Sequence, residues 1–242
     1  MKTGTLFGIG VGPGDPDLIT VKGAAILGEC RHVFVPKARE DAESVAMTIA
    51  AKHINPEAEI HQILFPMITD SSELQARWTE SARAVAEVLE TGADVCFLTL
   101  GDTFLYSTYI YMLQALRDRI PKLNVVTIPG ITAFSAAAAT AEFPVGKAKE
   151  PVTIVPTADD LDAVRNALSA GGTVILMKIG KRLDRILDIL EESGMIEQGV
   201  FVSHAGMENQ RVETNLRNLR GERPEKGYLS ILLVHAKSQE TQ

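Results

Sequence analysis

Along the chain, short apolar runs alternate with segments whose apolar residues recur every three or four positions. Residues 5–11, 32–35, 59–65, 94–100 and 124–128 read as strands, rich in β-branched and aromatic side chains. Helices are predicted between them. Residues 44–52 form one. The clearest begins at Ser72-Glu73-Leu74-Gln75, a capping box, and continues through Leu74, Trp78, Ala82, Val85 and Leu89 to a stop at Gly92. Another spans about 108–117. Residues 117–123 are charged and contain Pro121, so they mark a domain boundary.

The second half repeats the alternation. An Ala-rich helix over 131–141 precedes a strand at 152–155. Thr157-Ala158-Asp159-Asp160 is a second capping pattern, ahead of Leu161, Val164 and Leu168. A strand at 173–178 leads to Leu183, Ile186, Leu187 and Leu190, a helix ending near Gly194. Residues 200–203 and 229–235 are the last strands. The expected fold class is α/β: two α/β domains, residues 1–120 and 121–242, each built mostly around a sheet with helices on its faces.

Composition narrows the partners. Lys and Arg number 24 and Asp and Glu 31, so 24 − 31 gives a net charge of −7. That excludes broad polyanion binding, hence no nucleic acid is expected, but a local basic pocket still suits an anionic small molecule. No apolar run reaches the roughly 18 residues of a membrane span, and the N-terminus lacks a signal-peptide pattern. Cys30 and Cys96 stand singly in apolar segments, as buried reduced thiols do. These features point to a cytoplasmic protein. The five histidines (His32, His53, His61, His204, His235) are scattered without metal-ligand spacing, and no metal is expected.

The most informative stretch is Gly8-Ile9-Gly10-Val11-Gly12-Pro13-Gly14-Asp15-Pro16. It is not a dinucleotide-binding loop: counted from Gly8 the third glycine position is Pro13, and from Gly10 it is Asp15. Pro13 and Pro16 delay any helix to about Thr20, removing the helix N-terminus that would hold a pyrophosphate. The common methyltransferase fold fits no better, because Leu6 and Pro36 stand where it places acids. The loop is a rigid turn presenting the Asp15 carboxylate at the carboxyl edge of a sheet, where open α/β sheets bind ligands. The alternative is a tight turn in which Asp15 caps the next helix.

Four further segments keep it company: Leu100-Gly101-Asp102-Thr103-Phe104-Leu105-Tyr106-Ser107, Pro129-Gly130-Ile131-Thr132-Ala133-Phe134-Ser135-Ala136, Leu176-Met177-Lys178, and the stretch from His204 to Gln210-Arg211-Val212. In this order, with the glycine loop, they resemble the motifs of the tetrapyrrole (corrin/porphyrin) methylases. Thr103 departs from the family's usual proline. The Tyr106-Ser107-Thr108-Tyr109-Ile110-Tyr111 run, Val35-Pro36-Lys37 and Gly227-Tyr228-Leu229-Ser230 resemble the branch that methylates carbon 20 of precorrin-2 or cobalt-factor II.

The resemblance implies S-adenosylmethionine as cofactor, S-adenosylhomocysteine as its product, a cofactor and active site in the cleft between the two domains, and a homodimer. Carried over by position, the cofactor contacts are Pro13, Leu100, Gly101, Asp102, Leu105, Thr132, Ala133, Met177 and Ala205. Met177 taken alone reads equally as core, and Gly101-Asp102 as a turn. Small residues let backbone approach a ligand closely, and Asp102 suits its cationic end. Asp15 leads the candidates for proton handling, followed by Asp102 and Tyr106. A tetrapyrrole carries many carboxylates, for which Lys37, Arg39, Lys178 and Lys181 are the candidate partners, with Lys147, Lys149 and Arg182 beside them. Alternatives are methylation at another ring carbon, a uroporphyrinogen III methylase, and a non-catalytic binder of the tetrapyrrole or the cofactor.

Overall fold

The computed structural model of the chain describes residues 3–37, 39, 41, 43–65, 71–156, 161–221 and 229–236. They form two compact units, residues 1–132 and 133–242. In the first, β1 (Thr5–Gly10), β2 (His32–Lys37), β3 (Glu59–Leu64), β4 (Val95–Thr99) and β5 (Asn124–Ile128) make one sheet in the order β3-β2-β4-β1-β5. Every pairing in it is parallel. Such strands are buried on both faces, and all five residues of β4 are buried. The helices are α1 (Val21–Glu29), α2 (Val45–Ala50), α3 (Ser71–Glu90) and α4 (Thr108–Arg119). As Pro13 and Pro16 require, α1 starts only at Val21, where Thr20 accepts a hydrogen bond from the Gly23 N–H at 3.1 Å. The expected boundary at 120/121 is displaced to 132/133, because β5 adds to β1 as a fifth parallel strand. Pro121 lies in a tight turn, closed by a bond from Leu123 N–H to the Ile120 carbonyl at 3.0 Å, rather than in a linker.

The core of this unit joins Leu6, Phe34, Leu89, Phe97, Tyr109, Met112 and Leu116. Tyr109 is fully buried and its hydroxyl lies 2.7 Å from Thr127 Oγ1. Gly8 makes room for the ring: a Cβ there would meet Tyr109 at 2.2 Å. Burial pushes the phenol above its ordinary value of 10.0. Tyr109→Phe is expected to cost about 1 kcal/mol, roughly 2–4 °C of melting temperature. In the wild type the folded state resists ionisation, so stability is lost as pH rises past 10, and that part of the loss should vanish in the variant. Melting curves at pH 7 and above pH 10 check both points.

In the second unit, α5 (Ala133–Thr140), β6 (Val152–Pro156), α6 (Asp162–Ala170), β7 (Gly172–Met177), α7 (Leu183–Glu192), β8 (Gly199–Ser203), β9 (Arg211–Glu213) and β10 (Ser230–Ala236) form a sheet in the order β6-β7-β10-β8-β9 with three helices. It is mixed: β6 and β7 are parallel, while β10 runs against β7 and β8, and β9 against β8. Its core joins Leu168, Leu176, Ile186, Leu187, Leu190, Phe201 and Leu232. The capping patterns at 72–75 and 157–160, and Gly227-Tyr228, lie outside the residues whose side chains are described. Cys30 and Cys96 are both buried and free. The Cys96 thiol, hydrogen-bonded to Cys30 and buried, is pushed up in pKa. Among the described residues no helix is long and apolar enough to cross a membrane.

Candidate functional site

Within the first unit, three motif segments meet at the carboxyl ends of adjacent strands. Beyond β1 and β4 the chain makes one more antiparallel bridge, with Gly12 N–H to the Gly101 carbonyl at 3.2 Å and Gly101 N–H to the Gly12 carbonyl at 2.8 Å. Gly101 takes a φ of +70°, which favours glycine. The turn after β5 packs onto the same place. A Cβ on Gly130 would lie 2.1 Å from the Gly101 carbonyl oxygen and 2.7 Å from the Gly10 carbonyl carbon. A Cβ on Gly10 would lie 2.5 Å from the Gly130 nitrogen. These glycines are small because backbone packs against backbone, not because a ligand approaches them. Gly101 differs, since a Cβ there would meet only the Ile131 oxygen, at 4.0 Å.

Asp102 joins this cluster. Its Oδ1 accepts from Phe104 N–H at 2.9 Å and its Oδ2 from Gly130 N–H at 3.1 Å. One carboxylate therefore shapes its own loop and ties it to the β5 turn. Asp15 is half-buried, and its Oδ1 accepts from Asp17 N–H at 2.8 Å. It thereby caps the short 3-10 turn Pro16–Leu18, while α1 is capped by Thr20. Pro13 is buried beside it, and Leu100 and Leu105 are half-buried. Tyr106 is exposed and holds a left-handed φ of +53°. A bulky residue in that region stores strain of order 1–3 kcal/mol, which concentrates at functional sites. Phe104, 56 % exposed and packed edge-on against Tyr109 at 5.7 Å between centroids, is a second aromatic side chain on this loop that sequence reasoning passed over.

The second unit has its own focus, at the end of the sheet where β7 and β8 finish and β10 begins. Met177 pairs with Ile231 and Ser203 with Ser230. The antiparallel β10 thus brings the residues after β7 and β8 to one sheet end. Lys178, His204 and Leu229 all adopt left-handed backbone there, at φ of +55°, +52° and +49°. His204 N–H donates to the Leu229 carbonyl at 2.9 Å, and burial lowers the imidazole pKa. Met177 is half-buried and Ala205 buried, so both assigned contacts sit at this end. Gln210 of the Gln-Arg-Val segment braces it, its Oε1 accepting from Gly206 N–H at 2.7 Å and facing Thr140 Oγ1 of α5 at 3.5 Å. Thr132 ends the first unit and Ala133 opens α5 in the second.

The basic candidates are less uniform. Lys37 closes β2 and is half-buried, and Lys178 and Lys181 are exposed beyond the end of β7. Arg39 is exposed and faces Asp41 at 3.9 Å, an ion pair of little strength in water. Lys147 and Lys149 are exposed in the loop before β6.

The family model of the tetrapyrrole (corrin/porphyrin) methylases matches residues 5–220. The chain is 33 % identical over 232 residues to the cobalt-precorrin-2 C(20)-methyltransferase of Salmonella typhimurium, covering 96 % of each chain. It is 28 % identical over 239 residues to the precorrin-2 C(20)-methyltransferase of a Sinorhizobium species, covering 96 % of this chain and 95 % of that one. The crystal structure of a cobalt precorrin-4 methyltransferase superposes with a TM-score of 0.74 at 21 % identity, covering 96 % of this chain and 94 % of that one. The chain belongs to the tetrapyrrole (corrin/porphyrin) methylase family.

Proposed function

We propose that the protein transfers a methyl group from S-adenosylmethionine to carbon 20 of precorrin-2 or its cobalt-loaded form, in cobalamin biosynthesis. The observation that carries this is the identity to two C(20)-methyltransferases over 96 % of the chain. The residues present suit the cofactor. Backbone groups around Gly101, the Thr132 hydroxyl and the apolar Leu105, Met177 and Ala205 match a ligand with a flat adenine, a carboxylate and an ammonium. When bound, S-adenosylmethionine supplies an electrophilic methyl on a sulfonium. The chain then has to orient the ring carbon toward that methyl and exclude water.

In this reading Pro13, Leu100, Gly101, Asp102, Leu105, Thr132, Ala133, Met177 and Ala205 hold the cofactor. Asp102 keeps the Gly101 and Gly130 loops in register. The exposed side chains of Phe104 and Tyr106 offer aromatic surface to a macrocycle. Lys37, Arg39, Lys178 and Lys181 pair with its carboxylates. Asp15 Oδ2 takes the proton that the methylated carbon gives up. The enzyme works in the cytoplasm as a homodimer.

Binding of S-adenosylhomocysteine tests the cofactor half. At about a hundredfold excess over Kd it should add about 2.7 kcal/mol, several degrees of melting temperature. No shift would remove the cofactor assignment. A gain of one methyl mass on precorrin-2, with or without cobalt, tests the substrate half; a protein that binds the cofactor yet methylates neither form acts on something else.

A further inference from the structure

Two of the five histidines do meet, far from the motif loops. In the parallel pairing of β2 with β3, His32 lies opposite Glu59 and Phe34 opposite His61. Residues two apart on a strand share a face, so all four side chains stand on one face of the sheet. His32 Nδ1 is 3.3 Å from His61 Nε2 and 3.5 Å from Glu59 Oε2, and His61 Nε2 is 3.8 Å from Glu59 Oε1. Phe34 stacks on the His61 ring at 4.3 Å between centroids and 11° between planes, which fixes where its nitrogen points.

We infer that His32, Glu59 and His61 bind one divalent transition-metal ion of the zinc class. Metal–nitrogen bonds of about 2.0–2.1 Å at a tetrahedral angle put two ligand atoms about 3.3–3.4 Å apart. The nitrogen–nitrogen separation of 3.3 Å matches that edge length, and Glu59 faces His32 with one oxygen at 3.5 Å and His61 with the other at 3.8 Å, so rotation of the exposed Glu59 side chain completes the set. Two imidazole nitrogens aimed at each other must otherwise share a single proton. Two imidazoles and one carboxylate suit zinc, cobalt or nickel and leave one position open.

The ion would act on structure, not on methyl transfer. His32 opens β2, and five residues at about 3.3 Å each put it some 16 Å from the strand's carboxyl end. β3 is the edge strand, paired only with β2 among the described strands, and the ion would clamp it in place.

Calorimetric titration of chelator-stripped protein with zinc chloride tests the site. One equivalent per chain is expected, together with a higher melting temperature. Cobalt(II) should give the intense visible bands of four-coordinate geometry. Glu59→Gln, nearly isosteric at an exposed position, should weaken zinc binding about tenfold or more and abolish the melting shift, and His61→Ala should weaken it further. Glu59→Gln decides the matter should His61→Ala not fold. Absence of saturable zinc binding, or binding that Glu59→Gln leaves unchanged in a folded protein, would overturn the assignment.

Discussion

Gly130→Ala is expected to remove cofactor binding and to lower the melting temperature by roughly 6–12 °C. The new Cβ would lie 2.1 Å from the Gly101 carbonyl oxygen and 2.7 Å from the Gly10 carbonyl carbon. Those atoms are backbone, held by the Gly12–Gly101 bridge and by the Asp102 bond to Gly130 N–H, so no side chain can swing aside. Overpacking of this kind costs about 3 kcal/mol, and each kcal/mol is worth about 2–4 °C at this chain length. Gly101→Ala is the informative companion. Its Cβ meets nothing closer than 4.0 Å, so its cost is the left-handed backbone at φ +70°, about 1 kcal/mol. Thermal melts with and without S-adenosylhomocysteine measure both variants. A Gly130→Ala protein as stable as Gly101→Ala, and still binding the cofactor, would refute the role given to the three-loop contact.

Asp15→Asn is expected to lower turnover about a hundredfold or more while cofactor affinity changes little. The substitution separates two tasks of one side chain. An asparagine oxygen can still accept the Asp17 N–H bond, so the 3-10 turn and its cap survive. The capacity to take a proton does not. Single-turnover kinetics with a parallel binding titration distinguish the outcomes. Unchanged turnover would leave Asp15 as a cap only and move the proton to Tyr106 or to solvent.

These two residues show how far the sequence alone reaches. Proline geometry set the start of α1 correctly, because Pro13 and Pro16 restrict backbone whatever the tertiary context. The strand at Asn124–Ile128 was equally plain from its run of β-branched residues, but its membership in the first sheet was not. A charged stretch with a proline looks the same in a linker as in a turn between α4 and β5. β9 spans only Arg211–Glu213, too short for any alternation to register. The motif residues were legible as an ordered set, yet their assembly depends on strand order, which no local pattern carries. Asp102 is the clearest case. A Gly-Asp turn gave no sign that its second oxygen would reach a backbone N–H 28 residues away. The same holds for His32 and His61, 29 residues apart and joined only by parallel register. Their spacing in sequence matches no metal motif.

The position of the new methyl group is the most direct test of the proposed reaction. Precorrin-2, metal-free or cobalt-loaded, incubated with the protein and S-adenosylmethionine labelled with carbon-13 in its methyl group, should yield one labelled carbon by NMR, attached at carbon 20. Label at another ring carbon would make the protein a methylase of different regiochemistry, and an unlabelled product with cofactor bound would contradict the reaction altogether.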